Sequence, residues 1–147
     1  MGPVTSLLFV LDAAPGHHVA REYVVDLAVH RSATVHLVYV ALESTRTTPM
    51  AVNPDQRRRL AQEAQAAMDD EVTRLADLGV TDVQTHLRAG DTASHVLGLA
   101  DDLGVDLVVI GDQADSRVLR ALVGERPATR LARRSPCSVL VAKEGTR

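Results

Sequence analysis

The sequence predicts an α/β domain built on an open parallel sheet with helices on both faces. Three observations lead there. Two short runs, Val4 to Leu11 and the segment DLVVIG from Asp106 to Gly111, are apolar nearly throughout, as strands buried on both faces of a parallel sheet are. Segments of helical periodicity alternate with β-branched segments in the order βαβ, loop, αβαβαβ. The 147 residues are 46% hydrophobic but only 2% aromatic, which suits a core of Val, Leu, Ile and Ala between helices and a sheet. No repeat or linker divides the chain, so residues 1–147 are expected to form one domain.

Each element has its own signal. After the strand Val4 to Leu11, the run Asp12-Ala13-Ala14-Pro15-Gly16 breaks the pattern. Val19, Tyr23, Val24, Leu27 and Ala28 then recur at helical spacing, with Glu22, Asp26 and His30 opposite. Thr34 to Val40 is rich in β-branched residues and predicts a second strand. Ala41 to Val52 lacks periodicity and reads as the long loop. Asn53-Pro54 suits a helix start, since Asn caps and Pro is favoured at the first helical position. Leu60, Ala64, Ala67, Met68, Val72, Leu75 and Leu78 form the apolar face of that helix, and Gly79 suits its left-handed end. Val83 to Arg88 alternates Val83, Thr85 and Leu87 against Gln84, His86 and Arg88, as expected of a half-exposed strand near a sheet edge. Asp91 can cap a third helix facing inward through Val96, Leu97, Ala100 and Leu103, with Gly104 at its end. Asp106 to Gly111 is a second central strand. Ser116 to Val123 and Ala128 to Arg134 read as helical. Ser138 to Ala142 is a last strand, followed by a polar tail from Lys143 to Arg147.

Composition excludes several roles. A net charge of −3 is the wrong sign for non-specific nucleic-acid binding, and the scarcity of aromatics leaves few base-stacking platforms. The single Cys137 can neither close an internal disulfide nor form a thiolate zinc site, and reads as a small buried hydrophobe. The six histidines form no metal-ligand spacing; His17 and His18 read as exposed loop residues. No run is long and apolar enough to span a bilayer, and no leader pattern opens the chain. The expectation is a cytoplasmic protein of prokaryotic composition.

In an open parallel sheet, ligands gather beyond the carboxyl ends of the strands, where the winding reverses. If the two most apolar strands are neighbours, Asp12 and the Gly111 turn border one crevice. The run Asp106 to Gly111, the stretch Asp112 to Gly124, and Arg130-Leu-Ala-Arg-Arg-Ser-Pro136-Cys137-Ser-Val-Leu-Val141 resemble the C-terminal signature of universal stress proteins. The strand ending in Asp12 and the pair Gly90-Asp91 fit as well, and the likeness in element order runs from about Val4 to Ala142.

That resemblance implies a Rossmann-like sheet of the adenine nucleotide alpha-hydrolase kind, with strand order 3-2-1-4-5 and a site between the first and fourth strands. It implies contacts to ATP or AMP, with Mg²⁺, from Asp12 near adenine or ribose, the Val40 backbone, and a phosphate loop of three glycines. In this sequence the glycine positions fall on Gly111, Ala114 and Gly124, and the hydroxyl position after the last falls on Glu125. Ala114 disfavours the positive φ open to glycine, by roughly 1 kcal/mol or more. Glu125 replaces a donor with an acceptor that repels phosphate, by about 3 kcal/mol at ~5 Å and an effective dielectric near 20, or roughly two orders of magnitude in affinity. Asp112 and Asp115 add negative charge. Arg117, Arg120 and Arg126 either solvate a helix face or take the phosphates, and Glu125 could alternatively bridge to Mg²⁺.

The resemblance also implies a two-fold homodimer through the last strand: Ser138, Val139, Leu140, Val141 and Ala142. Two functional readings follow. One is a homodimeric stress-response protein with a degenerate crevice, binding nucleotide weakly or not at all, with at most slow ATP hydrolysis and acting through protein partners. The other is a working ATP sensor using Asp12, Gly111, Gly124 and the nearby arginines. A flavin-binding role is disfavoured by the lack of aromatics to stack an isoalloxazine.

Overall fold

The computed structural model of the chain describes residues 4–11, 17–41, 53–90, 92–112 and 136–144. Its elements are β1 (Ser6–Leu11), α1 (His18–Arg31), β2 (Thr34–Ala41), α2 (Pro54–Asp77), β3 (Val83–Ala89), α3 (Thr92–Leu103), β4 (Leu107–Gly111) and β5 (Ser138–Ala142). The five strands form one parallel sheet in the order β3-β2-β1-β4-β5, as expected. The loop residues 42–52, the expected cap Asp91 and the helical segments Ser116 to Val123 and Ala128 to Arg134 lie outside the described residues.

Period-2 alternation sends the central strands' side chains to two cores. Leu7, Phe9, Leu11, Val35, Leu37 and Val109 meet α1 and α2 on one face. Leu8, Val10, Val38, Val40, Val108 and Ile110 meet α3 on the other. Both faces of β1 are therefore covered, which is why its sequence is a continuous apolar run rather than an alternating one. Cys137 is partly buried against the second core.

The helices show where periodicity alone misleads. In α1 the buried stripe is Ala20, Val24 and Ala28, whereas Tyr23, expected to face inward, is 46% exposed. Small residues let α1 lie close to the sheet, and the large Tyr23 is turned to the flank. α2 begins as expected: Asn53 accepts from the Gln56 N–H at 2.8 Å and the Gln56 side chain returns to the Asn53 N–H, with Pro54 in the first turn. Of its expected apolar face, Ala64, Met68 and Leu75 are buried, but Leu60 and Leu78 are exposed. The reason is length. The 24 residues of α2 span about 36 Å against about 26 Å for the 8 residues of β2, so the helix overhangs the sheet and Pro54 to Glu63 is exposed throughout. Gly79, at φ +97°, closes the far end in the left-handed region, as expected.

Buried charge joins the two helices. The Arg21 guanidinium makes a two-pronged contact with the Glu71 carboxylate, through Nε and through an Nη at 2.7 Å. The hydrogen bond to Glu71 raises the Arg21 pKa above its ordinary value against the opposing effect of burial. At the amino edge of the sheet, carboxylates staple strand starts together. Asp106 Oδ2 accepts from the Thr5 N–H at 2.8 Å, the Thr5 hydroxyl at 3.0 Å and the Ser6 N–H at 3.1 Å, bonds that lower its pKa. Asp82 Oδ2 accepts from the Thr34 hydroxyl at 2.7 Å.

β3 is an edge strand, as expected, but its alternation is blurred: Thr85 is exposed while His86 is half-buried. The cause is a histidine pair. His36 Nδ1 on β2 lies 3.1 Å from His86 Nε2 on β3, so one neutral ring donates to the other. Burial lowers both pKa values below 6.5; Asp82 opposes this at His36, while His36 and Arg88 reinforce it at His86. The fold therefore favours the neutral rings. Above the unfolded value of about 6.5 this stabilisation is fully present; as pH falls toward the lower folded values, the unfolded chain takes up protons that the fold resists, and stability drops. Thermal melts between about pH 7.5 and about pH 5 should show Tm falling with acidification, and His86→Gln, which removes one of the titrating rings, should flatten that slope. An unchanged slope in the variant would show that the pair does not set it.

Candidate functional site

β1 and β4 are parallel neighbours, with Leu7 beside Leu107 and Phe9 beside Val109. The paired register ends at Phe9 beside Val109, two residues short of the strand ends Leu11 and Gly111. The chain leaves β1 toward β2 on one side and leaves β4 toward β5 on the other, so the winding reverses between them. This is the switch point at which open α/β sheets form a ligand crevice. Val40, 1% exposed, lies at the same carboxyl edge one strand away. Of the expected site residues, Val40, Gly111 and Asp112 are thus placed at one edge. Asp12, Ala114, Gly124, Glu125 and Arg126 lie outside the described residues.

The exit of β4 is more acidic and more crowded than the sequence suggests. Asp112 folds back onto β5: its N–H donates to the Ala142 carbonyl at 2.7 Å, and its Oδ1 accepts from the Glu144 N–H at 2.8 Å. Glu144, assigned by hydropathy to a polar tail, is fully buried. Its Oε1 accepts from the Val19 N–H at 2.9 Å and its Oε2 from the Ala20 N–H at 2.8 Å, both in the first turn of α1. His18, expected as an exposed loop residue, starts α1 with Nδ1 3.6 Å from Glu144 Oε1; it is exposed, as expected. Three separate pieces of chain meet at this one carboxylate.

Glu144 also accounts for Gly111. A Cβ on Gly111 would sit 2.9 Å from Glu144 Cγ and 3.0 Å from Oε2. Gly111 does not have positive φ, unlike Gly79, Gly90 and Gly104. A glycine is needed here because of what lies against it, rather than because its φ turns an amide outward. The expected interface strand β5 is the other sheet edge: Ser138 is exposed, Val139, Leu140 and Val141 are half-buried, and Ala142 is buried.

A doubly wound parallel sheet in the order β3-β2-β1-β4-β5 places this chain in the class of open α/β domains, in which ligands bind beyond the carboxyl ends of the strands. The profile of the universal stress protein family matches residues 4–143, and the chain belongs to that family. The Staphylococcus haemolyticus protein SH1215, named for the same family, is 28% identical over 141 residues, covering 91% of this chain and 83% of its own. Among solved structures, the hypothetical protein MJ0577 superposes with a TM-score of 0.77 at 20% identity, over 99% of this chain and all of its own. UspA from Lactobacillus plantarum gives 0.74 at 23% identity, over 97% and 99%. A universal stress protein solved with cAMP gives 0.61 at 20% identity, over 96% and 98%, and one from Archaeoglobus fulgidus solved with dAMP gives 0.58 at 15%, over 95% and 98%.

The contact at Gly111 yields a direct test. Gly111→Ala must displace a side chain pinned by two amides, and should cost about 1–3 kcal/mol in urea denaturation. With Glu144→Ala already present, the added cost should fall close to zero. Equal costs in both backgrounds would mean that Glu144 is not what demands the glycine.

Proposed function

We propose that this universal stress protein binds adenine nucleotide weakly, at the carboxyl edge between β1 and β4, and works as a binding and interaction protein rather than by turnover. The observation that carries this reading is the crowding of carboxylate at the exit of β4. Asp112 and the buried Glu144 are hydrogen-bonded to one another there. The sequence then adds Asp115 and Glu125, with Ala114 where a phosphate loop would want glycine. Universal stress proteins of similar fold hold cAMP and dAMP, which supports an adenine nucleotide as the ligand class. In this chain the Val40 backbone would meet the base, and the turn beginning at Gly111 and Asp112 would lead to the phosphates. Mg²⁺, when bound with a triphosphate, would neutralise part of this acidity.

Thermal-shift titration tests the reading. Half-saturation by ATP with Mg²⁺ is expected above about 100 μM, and Ala114→Gly with Glu125→Ser should tighten it by at least roughly tenfold. Micromolar saturation of the unmodified protein would instead favour a working ATP sensor. A double variant that binds no better than its parent would remove the acidic-loop explanation. The proposal includes a two-fold homodimer through β5, whose half-buried Val139, Leu140 and Val141 lie on a sheet edge. Sedimentation at micromolar concentration should give twice the 15.8 kDa chain mass; a monomer would contradict the pairing.

A further inference from the structure

The first turn of a helix presents N–H groups without helical partners and a positive dipole end, so a helix starting at the ligand edge of a sheet is an obvious phosphate cradle. α1 starts at that edge, and its cradle is already filled. Both oxygens of Glu144 accept there, one from Val19 and one from Ala20, and accepting at both oxygens is the bonding of an ionised carboxylate. Arg21, the residue after Ala20, adds positive potential. The missing Cβ of Gly111 makes the room, and the Glu144 N–H anchors to Asp112.

We propose that Glu144 is an internal anion that closes the amino end of α1 to ligand phosphate and so directs a ligand's anionic end to the exit of β4. It is a specificity-determining residue. With the α1 amides spent on Glu144, a phosphate approaching that flank would meet a carboxylate in place of free donors. The directing role rests on the nucleotide reading above; the occupancy of the α1 amides does not. A cap that served stability alone would give no anion dependence when removed. An internal anion leaves behind a cradle that a small external anion can enter.

The experiment uses the full chain with Glu144→Ala. Its Tm should fall by about 5–10 °C. Sodium formate, which fits the space of the lost carboxylate, should then raise the variant's Tm saturably, beyond sodium chloride at equal ionic strength, and inorganic phosphate should do likewise. The unmodified protein should respond to formate no more than to chloride. ATP should bind the variant at least tenfold more tightly than the parent, with adenosine unchanged. A folded variant that treats formate as it treats chloride would overturn the internal-anion assignment, as would an equal formate response in the parent. A formate effect without the ATP gain would overturn the directing role alone, and failure of ATP to bind any variant would count against the nucleotide reading while leaving the formate result standing. Should Glu144→Ala not fold, amide NMR of the unmodified protein decides: the Val19 and Ala20 N–H groups must be protected from hydrogen exchange and unmoved by inorganic phosphate, and saturable phosphate-induced shifts there overturn the proposal.

Discussion

The site in this protein depends on β1 and β4 lying side by side. A strand flanked by parallel neighbours on both edges, and by helices on both faces, has no surface left except its ends. Placing β1 and β4 together brings two such ends to one point, from which the chain departs toward β2 on one side and toward β5 on the other. Burial of both faces suits an apolar strand: Leu7, Leu8, Phe9 and Val10 are 0–1% exposed. The crevice follows from the winding, and its chemistry from the residues at the strand ends.

The two edges of the sheet carry acid for different purposes. At the amino edge, Asp106 and Asp82 accept from the starts of neighbouring strands and hold the register. At the carboxyl edge, Asp112 and Glu144 hold the exit of β4, the end of β5 and the start of α1 as one unit. The buried Glu144 carboxylate is satisfied by two main-chain amides, so it is tolerated without solvent contact, whereas Asp106 and Asp82 are exposed. The difference is that the second group stands where a ligand would come. On the proposed role of Glu144, stability and ligand preference share the same atoms, and a tighter grip on α1 would come with lower phosphate affinity on that flank.

The fold was legible because its signals are local and repeated. Apolar runs mark β1 and β4, a capping pair marks the start of α2, and Gly79 marks its end. Strand order was not in the periodicity; it came with the resemblance carried by the segment from Asp106 to Val141. Other features depend on relations that local pattern does not contain. Leu60 has the right spacing to be buried, but the sheet stops before the helix does. Tyr23 sits on the inward side by spacing, yet close packing favours Ala20 in its place. His36 and His86 meet only because Val38 and His86 share a register position, setting His36 one diagonal away. Glu144 gave no signal at all: a lone acid between Lys143 and Gly145 reads as tail, and its burial is decided by the first turn of α1, 124 residues away from it. Gly111 stands out in the sequence as the first glycine of a phosphate loop, and the steric demand on it appears only with Glu144 in view.

The proposed ligand edge of this protein is the carboxyl end of β1 and β4, with α1 closed to it. Backbone amide NMR during titration with AMP tests this most directly. Shifts should concentrate at Leu11, Val40, Gly111 and Asp112, with Val19 and Ala20 unmoved and the amino-edge amides of Thr5 and Ser6 silent. Saturable shifts centred on the start of α1 or on the amino edge of the sheet would contradict it.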